Sequence, residues 1–202
     1  MKKIISVFFV LCFILSFSQV KENLVIPKNP KIGLSLAGGG AKGFAHVGVL
    51  KILDSLGVKV DYISGTSMGA IVGGLYASGY TGKDIEKIVM ETDFYNLLSN
   101  SDNRAESSFF NKSIDKYLLK VPIKNGKVTL PSSISSGQKN IYLLKELFKN
   151  VSNIQDFSKL PIPFLCVATN LESGKTKVFE KGDLSESILA SSAFPSLMDP
   201  VK

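Results

Sequence analysis

The sequence predicts an α/β domain built on a mainly parallel central sheet, and three observations lead there. At 202 residues with 45% apolar content, the chain can bury one substantial core and shows no sign of a second complete domain. From Ile32 onward, short apolar runs alternate with helical patterns in β-α-β-α order, the order of parallel strands joined by crossovers. Two glycine-rich turns, Gly38-Gly39-Gly40-Ala41-Lys42-Gly43 and Gly65-Thr66-Ser67-Met68-Gly69, each follow an apolar run and open a helical pattern. Both are therefore expected at the carboxyl edge of the sheet.

Residues 1–18 read as a signal peptide. Lys2 and Lys3 precede an apolar run from Ile4 to Phe17, and Ser16-Phe17-Ser18 offers a small-x-small cleavage site before Gln19. About 14 apolar residues fall short of the roughly 20 that a membrane-spanning helix needs. Export to the periplasm, to the outer membrane or out of the cell is the expectation. Residues 19–31 form an extended linker in which Pro27 and Pro30 exclude helix, and residues 32–202 form the domain.

Within the domain, Ile32 to Ala37 is the first strand, apolar enough to be buried on both faces. Phe44 to Leu56 follows as a helix stopped by Gly57. Val58 to Ile63 is the second strand, and Ser67 to Ser78 the second helix, closed by Gly79. Thr81 opens a third helix, with Asp84 completing a capping box. From Phe94 to Ser136 the pattern weakens, apart from a hairpin expected at Val121 to Leu130 around Asn125-Gly126. Phe109, Phe110 and Ile114 near Lys112 and Lys116 would suit insertion into a lipid interface, and a folded surface excursion fits the same residues.

Gln138 to Asn150 is a helix presenting Ile141, Leu144, Leu147 and Phe148 to the core. Pro163 to Asn170 and Lys175 to Lys181 are strands joined by Ser173-Gly174. Asp183 with Glu186 caps a last helix through Ser192, and Phe194-Pro195 begins a loop that runs to the end. Without the leader, Cys166 is the only cysteine, placed in an apolar strand, so it makes no intramolecular disulfide. Removing Lys2 and Lys3 leaves 22 basic against 17 acidic residues, a net charge of +5. That balance suits an anionic lipid surface as well as it suits scattered solvated lysines. With Arg104 the only arginine and no arginine-rich patch, nucleic-acid binding is not expected.

The chemistry lies in the two turns. Gly65-Thr66-Ser67-Met68-Gly69 has the G-x-S-x-G form of a nucleophile elbow between a strand and a helix. There the serine backbone is strained, and Gly65 and Gly69 leave room for the neighbouring strand and helix. A serine that merely caps the helix is the competing interpretation. Gly38, Gly39 and Gly40 carry no side chains, so their N–H groups can converge on an oxyanion at a helix start. Lys42 could attract a phosphate head group or close the loop. Gly38, Gly40 and Gly43 also satisfy a G-x-G-x-x-G dinucleotide fingerprint with Asp61 as the ribose acid, but that leaves Gly65 to Gly69 unexplained. His46, the only histidine, precedes the serine, so it reads as a loop-supporting or helix-packing residue rather than a general base.

Taken together, the two motifs, the helix AHVGVLKILDSLG between them and the late block Ala190-Ser191-Ser192-Ala193-Phe194-Pro195 resemble the patatin-like phospholipase family. The resemblance runs from about Ile32 to the last residue. It implies a three-layer α/β/α fold and a Ser-Asp dyad acting without histidine, metal or cofactor on acyl esters of membrane phospholipids and related lipids. Ser67 would be the nucleophile, with Gly39 and Gly40, beside Gly38, as oxyanion donors, and Lys42, Gly43, Gly65 and Gly69 in support. Some exported members of the family are followed by an outer-membrane barrel. The family's aspartate sits in an Asp-Gly-Gly or Asp-Gly-Ala turn, a tripeptide that this sequence does not contain. The expectation is therefore a fold incomplete at its C-terminus, an acid encoded within roughly 10 to 20 residues after Lys202 by the motif context, and little activity in the 202-residue chain. Asp199, followed by Pro200 rather than glycine, reads as a turn residue.

Overall fold

The structure, a computed structural model, describes residues 29–93, 97, 123–124, 127–128, 133–135 and 137–201. The expected signal peptide, nearly all of the linker, and Phe109, Phe110, Lys112, Ile114 and Lys116 lie outside them. The account below concerns the unit that begins at Lys31.

Among the described residues, four strands form the central sheet: β1 (Gly33–Leu36), β2 (Tyr62–Thr66), β6 (Phe164–Thr169) and β7 (Thr176–Phe179), in the order β1-β2-β6-β7. The first three are parallel, with Leu36 opposite Gly65 and Thr66 opposite Val167, and β7 is antiparallel to β6. The fold is thus α/β with a mainly parallel sheet, as expected. Helix α1 (Ala45–Ser55) connects β1 to β2, and α2 (Met68–Ala77) leaves β2. They are followed by α3 (Gly82–Glu91), α4 (Gln138–Leu147) and α5 (Leu184–Ser192).

Helix α2 is the centre of the core. Gly69, Ala70 and the whole run from Val72 to Ala77 are buried, which explains why its sequence is apolar on every side. Its glycines set the packing distances. A Cβ on Gly73 would press on Ile63 and Leu36 of the sheet, and one on Gly74 would press on Ile188 of α5 and on Phe148. The C-terminal end of α2 is tied to the segment around α4, since Tyr80 donates to the Leu147 carbonyl at 2.7 Å and Asn150 to that of Ser78 at 3.1 Å.

Several expected boundaries move, each for a physical reason. Strand β2 begins at Tyr62 rather than Val58 and runs into the glycine turn as far as Thr66. Its ladder starts where the Asp61 N–H donates to the Ile32 carbonyl, and it continues past Ile63 because Gly65 has no side chain to strike α2. Strand β1 is not buried on both faces: it lies at the edge of the sheet, with Gly33 and Ser35 exposed and Leu36 buried. The loop after Phe194 is interrupted by β8 (Ser196–Met198), which pairs in parallel with β5 (Ser133–Ser135). Helix α4 ends at Leu147, and a 3-10 turn at Lys149–Val151 carries the chain onward.

Other expectations stand. The capping box of Thr81 and Asp84 opens α3, and Asp183 caps α5 by accepting from the Glu186 N–H. Of the expected hairpin, the antiparallel ladder is present as β3 (Ile123–Lys124) and β4 (Lys127–Val128), while its turn at Asn125-Gly126 lies outside the described residues. Cys166 is fully buried in β6, where burial pushes its thiol up to about 12. Among the described residues, no helix is long and apolar enough to cross a membrane.

Candidate active site

Because β1 and β2 are adjacent and parallel, the turns that follow them emerge side by side. A Cβ built on Gly38 would stand 3.1 Å from the Ser67 Cβ and 3.4 Å from the Thr66 carbonyl oxygen, so the glycine loop lies directly against the serine turn. After Gly39 the loop winds into a 3-10 turn, Gly40–Phe44, before α1 begins. Gly40 has φ +53, a conformation that glycine adopts freely, and a side chain there would point into open space. No described residue accepts a hydrogen bond from the N–H groups of Gly39 or Gly40.

Ser67 occupies the bend between β2 and α2 with φ +53 and ψ −121, and only one other non-glycine residue, Ser196, has positive φ among the described residues. Such a conformation costs on the order of 1–3 kcal/mol and persists only where surrounding contacts hold it. The side chain makes no capping hydrogen bond to α2, which removes the interpretation of Ser67 as a helix cap. Among the described residues nothing hydrogen-bonds its hydroxyl, and the N-terminal end of α2 directs its positive dipole toward it.

The supporting glycines answer to measurable contacts. A Cβ on Gly65 would lie 2.5 Å from the Gly69 carbonyl oxygen and 2.6 Å from the Ala70 Cα. One on Gly69 would fall onto the Leu36 carbonyl, and one on Gly43 would sit 2.5 Å from the Met68 Cγ. Only glycine at these three places lets strand, loop and helix close around Ser67. Lys42 is exposed, and its ammonium pairs with no described carboxylate.

His46 does not reach the serine. Its Nε2 lies 2.9 Å from the Ala37 carbonyl oxygen, and because a carbonyl only accepts, that nitrogen carries the proton and clasps the end of β1 just before the glycine loop. Asp61 stands at the start of β2, the opposite edge from the glycine loop, and accepts from the Ile32 N–H at 2.9 Å. A ribose-binding acid would have to sit at the carboxyl end of that strand, so the dinucleotide alternative fails. Among the described residues no group of three or more His, Cys, Asp or Glu could hold a metal ion.

Two groups beside Ser67 were not singled out from sequence. Met68 supplies the first N–H of α2, adjacent to Ser67 and without an intrahelical acceptor. The residue after a nucleophile is a regular oxyanion donor, so position alone could have found it. The other is Ser191 of α5: its hydroxyl oxygen accepts from the Ser67 N–H at 2.8 Å while donating to the Val167 carbonyl at 2.6 Å. That contact bridges 124 residues of sequence, and only the tertiary fold reveals it.

Fold and site together define an α/β domain in which a strained serine turn and a glycine loop share one sheet edge. The chain belongs to the patatin-like phospholipase family, whose model matches residues 34–202. It is 28% identical to an NTE family protein of Mycobacterium bovis over 85% of this chain and 40% of that protein. It is 33% identical to a patatin-like phospholipase domain-containing protein of Caenorhabditis elegans over 84% of this chain and 11% of that one. With a lysophospholipase of Emericella nidulans the identity is 31%, over 84% of this chain and 10% of the relative. The chain therefore spans two fifths or less of the length of these relatives. Among solved structures, VipD from Legionella pneumophila matches with a TM-score of 0.51 at 18% identity, over 84% of this chain and 43% of that one. Full-length ExoU of Pseudomonas aeruginosa, solved in complex with SpcU, matches at 0.50 and 18%, over 86% and 42%. At that identity the likeness concerns the fold.

Proposed function

We propose that this chain carries the nucleophile half of a serine lipid acyl hydrolase acting on phospholipids or related acyl esters. The observation that carries the reading is the positive-φ Ser67, its hydroxyl uncommitted among the described residues, held against Gly38. The Ser67 Oγ attacks the ester carbonyl, an acyl-enzyme forms as the alcohol leaves, and water releases the acid. The oxyanion is held by the N–H groups of Gly39, Gly40 and Met68, two from the loop and one from the helix start. Lys42, exposed and without a described carboxylate partner, would meet the phosphate of the head group.

The base in this reading is the family's aspartate, since the His46 Nε2 is spent on the Ala37 carbonyl at 2.9 Å. Residues 1–202 hold no Asp-Gly turn, so the 202-residue chain alone should hydrolyse esters weakly if at all. Export through residues 1–18 belongs to the same proposal, which places the enzyme where it meets membrane lipid. The second reading is a module that binds lipid or an acyl group without turnover, favoured by the absence of a described carboxylate at the Ser67 hydroxyl. A fluorophosphonate probe separates the two. Covalent labelling that vanishes in Ser67→Ala supports the nucleophile; full esterase activity retained in Ser67→Ala would sink it.

A further inference from the structure

We propose that Ser191 is the positioning residue of the nucleophile turn, a reading that rests on Ser67 being the nucleophile. A serine hydroxyl has one proton and two acceptor sites. The Ser191 proton goes to the Val167 carbonyl at 2.6 Å, and a lone pair takes the Ser67 N–H at 2.8 Å. One hydroxyl thereby joins the end of β6 to the turn that leaves β2, the strand paired with it.

The Ser67 carbonyl is committed on the other side, accepting from the N–H groups of Ala70 at 2.9 Å and Ile71 at 3.1 Å. Both backbone polar groups of the strained residue are therefore fixed, one by α2 and the other by α5. Relaxing φ from +53 would swing the Ser67 N–H away from Ser191. The bond to Ser191 thus opposes the motion that would release the strain, and it holds the Ser67 Cβ in its place beside Gly38. It also withdraws the Ser67 N–H from the oxyanion site, leaving Gly39, Gly40 and Met68 to serve there. The adjacent Ser192 supplies an internal control, because its hydroxyl is spent within α5, its one proton shared between the carbonyls of Ile188 at 2.9 Å and Leu189 at 3.1 Å.

The test uses the full-length gene product, a p-nitrophenyl ester, and the rate of fluorophosphonate labelling at Ser67. Ser191→Ala should lower kcat by about 10- to 100-fold, the scale of a small misplacement of a reacting group. KM should stay within about twofold, since this side chain meets no substrate. The labelling rate should fall in parallel while labelling still runs to completion. Ser191→Thr keeps the hydroxyl and should recover most of the rate, and Ser192→Ala should match the parent. A folded Ser191→Ala with the parent's kcat and labelling rate overturns the proposal, as does failure of Ser191→Thr to recover any of the loss. If Ser191→Ala does not fold, Ser191→Cys, with its longer and weaker bonds, decides: slowed labelling supports the role and labelling at the parent's rate refutes it. Parent protein that takes up no label at Ser67 would instead defeat the nucleophile reading, and this proposal with it.

Discussion

Gly38 and Ser67 face each other across the join of two parallel strands, with 3.1 Å between the Ser67 Cβ and the place where a Gly38 Cβ would be. That spacing is tighter than ordinary van der Waals contact but not prohibitive, so Gly38→Ala should fold while pushing the serine aside. A 10- to 100-fold loss of kcat, on the order expected for a small displacement of a reacting group, should accompany near-parental circular dichroism. Gly40→Ala is the contrast. Its side chain meets no atom within 4 Å, and its cost is the positive φ, about 1–2 kcal/mol of stability. Comparing kcat with denaturant midpoints checks both, and a Gly38→Ala enzyme of parental kcat would break the link between this contact and catalysis.

Gly69→Ala should behave differently, because its Cβ would fall on the backbone carbonyl of Leu36, which cannot rotate away as a side chain can. Strand β1 and helix α2 would have to separate across the middle of the core. The expected cost exceeds about 4 kcal/mol, which in a domain of this size corresponds to a Tm lower by roughly 8–16 °C. Gly73→Ala meets only side-chain atoms, at 3.0 Å from Ile63 and 3.1 Å from Leu36, and should lose less. Thermal unfolding of the two variants should rank them in that order.

The order of elements was legible because glycine punctuates this chain at its bends. Gly57 and Gly79 mark helix ends with φ +64 and +100, and the two glycine motifs mark the turns beside Ser67. The β2 boundary was misread because Ser64, Gly65 and Thr66 lack the apolar signal of a strand, their strand character coming from pairing with β1 and β6. Strand β8 was missed for a related reason: its partner, β5, lies 63 residues earlier in register, Ser133 opposite Ser196. At the site, residue type gave Ser67 and the glycines. The grip of Ser191 on the Ser67 N–H depends on where α5 crosses the sheet, which local pattern does not encode.

His46 should prove to be a clasp and not a base. Its Nε2–H holds the Ala37 carbonyl at 2.9 Å, and a side-chain amide can make a similar bond. His46→Gln is therefore expected to retain more than about a tenth of the activity, and His46→Ala to lose about 1 kcal/mol of stability through the missing hydrogen bond. The pH–rate profile discriminates. If a limb of the parent's profile disappears in His46→Gln, the residue takes part in proton transfer after all.

Tyr76 should give the protein a distinct alkaline limb of stability. Its hydroxyl donates to Asp54 Oδ1 at 2.6 Å, while Asp54 Oδ2 accepts from the Gly82 N–H at 2.7 Å, so one carboxylate joins α1, α2 and the start of α3. Burial first, then the hydrogen bond to Asp54 and the negative charge of that carboxylate, push the Tyr76 phenol up to about 12 from an ordinary 10.0. The folded state thus holds the proton more tightly than the unfolded chain does. Its contribution is complete below pH 10 and is lost as the pH rises from there through about 12. Denaturant unfolding of the parent and of Tyr76→Phe across that interval isolates the effect, since other alkaline titrations are common to both. The stability advantage of the parent should shrink between pH 10 and about 12, and a constant difference across the interval would show that the phenol is not held by Asp54 as described.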